Sequence, residues 1–164
     1  MDELQDRRAI EDVITRYATG IDRKDWELFR SCFTADCTVR YGEGKGLWPA
    51  PGHFEDLDEL VEAMEAVHVP VKASLHRMSN FVVAFTDQGA TACSYIDAML
   101  FSDAGLLRIV GFRDNDLVRE DGEWKIRNDR LTLLWSEGDD AVLELSGPEG
   151  ILWKSTVTSR RRGG

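Results

Sequence analysis

Four long runs of strand-forming residues fill most of the second half of the chain, and they constrain its fold more than any other feature. The runs cover residues 74–85, 90–102, 106–120 and 124–135. Short turn signals separate them, at Asp87-Gln88-Gly89, Asp103-Ala104-Gly105 and Glu120-Asp121-Gly122. Consecutive strands joined by such short turns pair as hairpins. The pattern therefore predicts an antiparallel meander.

The first part of the chain predicts helices instead. Apolar residues recur there at helical spacing, at Ile10, Val13, Ile14, Tyr17, Ala18 and Ile21. Gly20 is predicted to end this helix, and residues 20–24 to form a tight turn. Asp25 is a good N-cap for a second helix, and Asp56 with Glu59 forms a capping box for a third. The buried stripe of the third helix is predicted at Leu57, Leu60, Val61, Met64 and Val67.

A short strand and a loop separate the second and third helices. Residues 37–41 predict the strand, whereas residues 42–53 contain too many glycines and prolines for regular structure. Trp48 lies in this loop and could cover a pocket as a lid. Helices followed by a curled antiparallel sheet predict an α+β fold that encloses a pocket between the two. Since neither a repeat nor a linker is visible, residues 1–164 are predicted to form a single domain.

Composition excludes several classes of function. The 164 residues include 20 Lys and Arg against 30 Asp and Glu, a net charge of −10 that disfavours nucleic-acid binding. Neither a membrane span nor a signal peptide is visible, so we predict a cytoplasmic protein with no membrane partner. Arg160-Arg161-Arg162 is interpreted as a solvated tail. The cysteines, Cys32, Cys37 and Cys93, have no metal-type spacing and are interpreted as small hydrophobic residues.

His76 is the first candidate for chemistry, because it opens the first long strand. Alternation places His76, Met78, Asn80 and Val82 on one face of that strand. A histidine that faces a cavity there could transfer protons at neutral pH. The alternative is a core histidine that a hydrogen bond holds in place. His53 and His68 are predicted to face solvent.

Asp22 is the second candidate, because Asp25 is better placed to cap the second helix. Its carboxylate could accept the Nδ1 proton of an imidazole and so fix the tautomer of that ring. Capping or turn chemistry is the alternative. Tyr17 and Tyr41 could each donate a hydrogen bond to a substrate oxygen, or be ordinary core tyrosines. No sequence motif predicts a metal site or a cofactor.

Residues 9–26 resemble the opening of SnoaL-like proteins of the NTF2-like superfamily. The resemblance is to the group that contains scytalone dehydratase, hexachlorocyclohexane dehydrochlorinase and bile-acid 7α-dehydratase. Three later segments fall where this family would place them: residues 33–37, His76-x-Met78-x-Asn80 and residues 121–126. The resemblance covers residues 5–135 approximately, and it leaves residues 136–164 as a C-terminal extension.

The resemblance implies a cone-shaped α+β barrel with a mostly apolar pocket, in a homodimer or homotrimer. The His and Asp of the lyase dyad in this family fall on His76 and Asp22, and pocket tyrosines fall on Tyr17 and Tyr41. The chain departs from the scytalone enzyme at Ile21, which replaces a pocket tyrosine. It departs again near Ser102, Gly111 and Arg113, so the resemblance implies a substrate other than scytalone.

Arg113 and Asn115 are predicted to share a face with Gly111 and to line the pocket. Arg113 would then bind a carboxylate, phenolate or enolate oxygen, although an exposed arginine is the commoner case on a strand. Asp97 on the neighbouring strand could pair with Arg113. Beyond the strands, the apolar residues 142–145 and 151–153 could pack against a neighbouring subunit.

These features lead to one main hypothesis, a cofactor-independent lyase or isomerase for a hydrophobic cyclic or polyketide-like small molecule. His76, oriented by Asp22, would be the general base, and Tyr17 or Tyr41 would stabilise the developing oxyanion. The predicted substrate-binding residues are Trp48, Met78, Asn80, Arg113 and Asn115. Two alternatives stay open: a non-catalytic ligand-binding or association module, and the small subunit of a ring-hydroxylating dioxygenase.

Overall fold

The computed structural model of the protein describes residues 2–44 and 52–143. Three helices precede or interrupt the strands: α1 (Glu3–Arg23), α2 (Trp26–Ser31) and α3 (Leu57–Val67). The strands are β1 (Phe33–Gly44), β2 (Gly52–Phe54), β3 (Ala73–Thr86), β4 (Gly89–Ser102), β5 (Gly105–Glu120) and β6 (Glu123–Gly138). Trp48, residues 151–153 and Arg160-Arg161-Arg162 lie outside the described residues.

Helix α1 is longer than the sequence predicts, and this length brings its last turn to the site described below. The helix continues through Arg23 and ends at Lys24, which adopts a left-handed conformation with φ 52°. The prediction that Gly20 ends the helix is wrong. A Cβ atom at Gly20 would lie 2.8 Å from the backbone nitrogen of Phe29, so glycine is required for the close packing of α2. The turn is correspondingly short, and Asp25 caps α2 as predicted.

Helix α3 begins and ends close to its predicted positions. The Asp56 carboxylate caps it by accepting a hydrogen bond from the backbone N–H of Glu59, at 3.0 Å. Every residue of the predicted stripe is buried. His53, in contrast, does not lie in an open loop as predicted. It lies in β2 opposite Arg40 of β1, and its side chain is only partly exposed.

The six strands form one curled sheet in the order β2-β1-β6-β5-β4-β3. Strands β3 to β6 are the predicted antiparallel meander, and their bounds differ from prediction by three residues at most. The prediction of a wholly antiparallel sheet is wrong, because β1 pairs with β6 in parallel. No tight turn joins these two strands, so nothing imposes antiparallel pairing on them. The described sheet is mixed and unclosed, with β2 and β3 at its edges. The fold class is α+β.

A bulge in β3 changes which side chains face inward. The pairing of β3 with β4 shifts between Ser79 and Val82, and Asn80 has a φ of 55°. Before the bulge, His76 and Met78 face the interior as predicted; after it, Phe81 packs against the core instead. Asn80 and Val82 are exposed. The prediction that they share the inner face is therefore wrong, because an extra residue at a bulge reverses the alternation.

The interior is continuous with the start of the C-terminal segment. Val142 and Leu143 are buried against Val67, Leu107 and other residues of the same chain, so these two residues do not serve a neighbouring subunit as predicted. Cys32 and Cys37 are buried free thiols within the core, as expected of small hydrophobic residues. None of the helices in the described ranges is long and apolar enough to cross a membrane.

Candidate active site

A largely apolar hollow lies between the helices and the inner face of the sheet. It measures about 730 Å³, including the part that opens to solvent. Its apolar walls are formed by Ile21, Phe54, Met64, Val67, Ile96, Ala98, Leu100, Ile109, Leu131 and Leu143. Among the described residues, five polar side chains also line it: Tyr17, Tyr41, His68, His76 and Arg113. A mostly apolar wall with a few polar groups is typical of a site for a small hydrophobic molecule.

His76 and Asp22 meet at the wall of this hollow, where the last turn of α1 contacts β3. His76 Nδ1 lies 2.6 Å from Asp22 Oδ1. The backbone N–H of His76 donates to Asp22 Oδ2 at 2.8 Å, and the Ser74 hydroxyl donates to Oδ1 at 2.7 Å. These three contacts hold the carboxylate beside the imidazole, and Asp22 can make them because it lies in the last turn of α1.

The protonation of the dyad follows from these contacts. Burial by itself would raise the pKa of Asp22, but the hydrogen bonds and charge of His76 and the hydroxyl of Ser74 hold that pKa below its ordinary value. Asp22 is therefore a carboxylate, which only accepts hydrogen bonds, and the proton between the two groups belongs to Nδ1 of His76. In the neutral ring Nε2 of His76 then carries the lone pair, and this nitrogen has no hydrogen-bond partner among residues 2–44 and 52–143.

Tyr17 and Tyr41 form a second polar group in the hollow. Their hydroxyl oxygens lie 2.9 Å apart, and Arg113 Nη1 donates to the Tyr17 oxygen at 2.5 Å. The guanidinium also lies 4.1 Å from the centre of the Tyr17 ring. Burial raises the pKa of both phenols, so both are neutral at pH 7. Because Arg113 polarises Tyr17, we expect Tyr17 to donate to Tyr41 and the Tyr41 proton to be available to a ligand.

Arg113 is buried, contrary to the commoner case of an exposed arginine on a strand, and Asp129 is its partner. Its Nε donates to Asp129 Oδ1 at 3.1 Å, and its Nη2 donates to Oδ2. Burial would lower the pKa of Arg113, but the charge of Asp129 raises it well above the ordinary value, so the guanidinium stays charged. The predicted pairing with Asp97 is wrong. Asp97 lies on the outer face of β4, where it binds Arg108, because side chains alternate along a strand.

Three predicted substrate-binding residues, Met78, Asn80 and Asn115, are not among the residues that line the hollow. Asn115 is buried, but its Nδ2 donates to Asp129 Oδ1 at 2.9 Å, so it supports the ion pair. Asn80 is exposed beyond the bulge. Met78 packs against the core clusters on both sides of the hollow. Within the described ranges, no group of three His, Cys, Asp or Glu side chains is arranged to hold a metal ion.

His68 is the polar group that sequence reasoning missed. It was predicted to face solvent, but it is 5% exposed and its Nδ1 lies 2.8 Å from the carbonyl oxygen of Met64. Its spacing could have revealed it, since it lies four residues after Met64 and so continues the buried stripe of α3. The acidic ion-pair partner Asp129 was also missed, because no periodic pattern distinguishes it from exposed carboxylates.

Residues 2–130 match the family model described as a SnoaL-like domain. The chain belongs to the SnoaL-like family. The match covers most of the chain and includes all the polar residues of the hollow described above. A comparison with curated protein sequences gives no match.

Solved structures share this SnoaL-like fold. The Kfla4162 protein from Kribbella flavida is 25% identical, with a TM-score of 0.76, 86% of this chain covered and 98% of that one. A candidate scytalone dehydratase from Novosphingobium aromaticivorans is 21% identical, with a TM-score of 0.72 and coverages of 82% and 87%. A type 2 hexachlorocyclohexane dehydrochlorinase is 17% identical, with a TM-score of 0.70 and coverages of 82% and 88%.

His68 makes the stability of this SnoaL-like chain sensitive to mild acid. Burial is the main reason that the pKa of His68 is lowered to about 4. The hydrogen bond to the Met64 carbonyl and the charge of Asp22 raise this pKa, whereas His76 and Lys24 lower it further. In the unfolded chain the pKa of this histidine has its ordinary value of 6.5. Because the pKa of His68 is lower in the folded chain than in the unfolded chain, its contribution to stability is present above pH 6.5. This contribution is lost as the pH falls from 6.5 to 4. We expect the free energy of unfolding to fall by up to about 3 kcal/mol in this window.

Urea titrations at pH 7 and pH 4.5 test this expectation. In His68→Phe the pH dependence of the unfolding free energy over this window should be distinctly smaller than in the wild type. Thr15→Ala, a substitution on the exposed face of α1, serves as the control and should keep the wild-type pH dependence. Equal pH dependence of His68→Phe and the wild type would contradict the assignment of a neutral buried His68.

Proposed function

We propose that this SnoaL-like chain is a cofactor-independent lyase, of the dehydratase type, for a hydrophobic cyclic or polyketide-like small molecule. The observation that carries the proposal is the 2.6 Å contact between His76 Nδ1 and Asp22 Oδ1 at the wall of the apolar hollow. In the neutral ring this contact leaves the lone pair on Nε2, and His76 lines the hollow where a small molecule would bind. A base in that position can remove a proton from a carbon acid.

The first step is the removal of a proton from the carbon next to a carbonyl group. His76 Nε2 takes the proton, the C–H electron pair forms the enolate C=C bond, and the negative charge moves to the carbonyl oxygen. Asp22 stabilises the imidazolium that results, because its carboxylate already binds Nδ1–H. The low pKa of Asp22 keeps it ionised through this step.

Tyr41 and Tyr17 are proposed to bind the developing oxyanion. Tyr41 would donate its hydroxyl proton as a hydrogen bond, and Tyr17 with Arg113 would strengthen that donor through the chain of hydrogen bonds. Arg113 acts here through the phenols, since Asp129 occupies its Nε and Nη2. It is therefore proposed as a positioning group for Tyr17 and not as a direct ligand for a substrate carboxylate.

The second step of a dehydration is the loss of a hydroxyl group from the carbon next to the enolate. The enolate electron pair re-forms the carbonyl, the new C=C bond forms, and the C–O bond breaks. The departing hydroxide takes the proton that His76 Nε2 received, which gives water and restores the neutral imidazole. All atoms and electrons balance without a further reactant. An isomerase would instead return the same proton to a different carbon, and the same residues could perform that reaction.

Structural relatives support the proposal at the level of the reaction type. The names of two of them, a candidate scytalone dehydratase and a hexachlorocyclohexane dehydrochlorinase, denote eliminations of water and of hydrogen chloride. Their sequence identity to this chain is too low to carry over a substrate. The homodimer or homotrimer implied by the family resemblance also stays a prediction.

Proton exchange provides a test that does not require the natural substrate. We expect the purified protein to speed the exchange of the C1 protons of 2-tetralone in deuterated buffer, measured by proton NMR against buffer alone. Thr15→Ala should match the wild type. A protein that binds 2-tetralone but leaves its exchange at the buffer rate would contradict the proposed base and favour a ligand-binding module. Co-purification with a larger iron-containing subunit would favour the dioxygenase alternative.

A further inference from the structure

His68 has a fixed tautomer, and this fixes what the ring can offer to a ligand. Its Nδ1 lies 2.8 Å from the Met64 carbonyl oxygen, which can only accept a hydrogen bond. Nδ1 must therefore carry the proton, and Nε2 of the neutral ring carries a lone pair. The Trp26 ring packs beside the imidazole, with ring centres 5.8 Å apart, and holds its orientation.

Nε2 of His68 is an acceptor without a partner among the residues that the structure describes. His68 lines the hollow and is 95% buried, since its exposed fraction is 5%. Among residues 2–44 and 52–143 no donor reaches Nε2. Because His68 lines the hollow, this acceptor can be reached by a molecule that enters the hollow, and a hydrogen-bond donor on that molecule would satisfy it. The walls nearest to it on α3, formed by Met64 and Val67, are apolar and cannot supply a donor.

His68 is also unsuited to acid or base catalysis. Burial lowers its pKa to about 4, so its Nε2 holds no proton at neutral pH and is a far weaker base than an ordinary histidine. Asp22, which would raise the basicity of an imidazole, hydrogen-bonds His76 and Ser74 instead. The hollow thus contains two imidazoles with different environments: one paired with a carboxylate, the other with a backbone carbonyl.

We infer that His68 Nε2 accepts a hydrogen bond from a hydroxyl group of the small molecule that occupies the hollow. The ligand class is therefore an apolar ring that bears a hydroxyl group, with this hydroxyl directed to the end of α3. The inference rests on the proposed function only in that a small apolar ring occupies the hollow. In this assignment His68 recognises the hydroxyl group of the ligand. It therefore makes the hollow bind hydroxylated rings more tightly than the corresponding ethers or the rings without a hydroxyl group.

The tautomer can be tested in the wild-type protein, without any substitution. We expect the ¹⁵N spectrum of histidine-labelled protein at pH 7 to show His68 with a protonated Nδ1 and an unprotonated Nε2. Addition of 2-naphthol should shift the Nε2 resonance of His68, whereas 2-methoxynaphthalene, which has no hydroxyl proton, should leave it nearly unchanged. A protonated Nε2 in the free protein, or equal shifts with both probes, would overturn the inference.

Affinities for the same two probes supply the second test. The wild type should bind 2-naphthol about five- to tenfold more tightly than its methyl ether, as expected for one hydrogen bond to a buried acceptor. His68→Phe should abolish this preference, and His68→Gln, which retains an acceptor, should keep part of it. Thr15→Ala is the control and should keep the full preference. His76→Phe tests whether the other imidazole of the hollow is the acceptor instead, and the preference should persist in this variant. Thermal unfolding of each variant shows whether it is folded.

The outcomes separate this inference from the proposed function. No preference in the wild type, a preference that survives in His68→Phe, or its loss in His76→Phe alone would each overturn the assignment of His68. None of these readouts requires turnover. Failure of proton exchange with an intact preference for 2-naphthol would contradict only the proposed lyase, because the hollow would then bind a hydroxylated ring without acting on it.

Discussion

Replacement of His76 by alanine is expected to lower the exchange rate of the 2-tetralone C1 protons by about 10²–10⁴-fold, the usual contribution of a general base. The reason is geometric. The Asp22 contact orients the His76 ring, so that Nε2 is the nitrogen left for a substrate proton, whereas His68 is buried and held by a carbonyl. No described side chain in the hollow can take over as base, because both phenols and Arg113 stay protonated at pH 7.

Two further variants distinguish a catalytic imidazole from a structural one. Asp22→Asn retains the size of the side chain but removes the negative charge that stabilises the imidazolium, so its rate should fall between those of the wild type and His76→Ala. Added imidazole should restore part of the rate of His76→Ala, because the space left by the ring can hold a free base. Both variants should keep the circular dichroism spectrum of the wild type.

One result would refute this mechanism directly. If folded His76→Ala exchanged the 2-tetralone protons as fast as the wild type, another group would be the base. If His76→Ala lost both its exchange activity and its cooperative thermal transition, the loss of activity would be assigned to a folding defect. Rescue by added imidazole would then decide whether the His76 ring is catalytic or structural. A structural histidine gives no rescue, since a free imidazole cannot rebuild a lost core contact.

The periodic parts of the structure could be predicted from the sequence. The stripe of α3 and the turn signals between β3 and β6 locate these elements to within a few residues, because each depends on local spacing. The contact of His76 with Asp22 could be predicted from the family resemblance. It was also indicated by the position of Asp25, which is better placed to cap α2 and leaves Asp22 free for another partner. Side-chain alternation also placed Arg113 and Asn115 on the inner face of β5, which the structure confirms.

The remaining features depend on contacts that are distant in the sequence. The parallel pairing of β1 with β6 joins Phe33 to Ile126, which are far apart in the sequence, and no local pattern in β1 signals it. The bulge at Asn80 reverses the inner face of β3, although asparagine tolerates a positive φ in many contexts. Asp129 resembles any exposed carboxylate until β5 and β6 pair and place Arg113 beside it.

The buried ion pair of Arg113 and Asp129 leads to the largest expected effect on stability. Arg113→Met leaves the Asp129 carboxylate buried without its main partner, and we expect a loss of about 3–5 kcal/mol in the free energy of unfolding. Asp129→Leu should cost a similar amount, since it leaves a buried guanidinium whose Nε and Nη2 have lost their acceptor. Urea unfolding at pH 7 measures both. Arg108→Met, which breaks the solvent-exposed pair with Asp97, is the matched control and should change stability far less.

The double variant Arg113→Met, Asp129→Leu tests the physical origin of this effect. If the cost of each single variant comes from an unpaired buried charge, removal of both charges should recover most of the lost stability, since two apolar side chains of similar size can pack in the same space. Recovery should be incomplete, because Asn115 Nδ2 loses its acceptor and Tyr17 loses the Arg113 donor. Additive losses in the double variant would show instead that the two residues stabilise the protein independently. The double variant should also slow the 2-tetralone exchange even where it is stable, because Tyr41 would then be a weaker donor to the enolate oxygen.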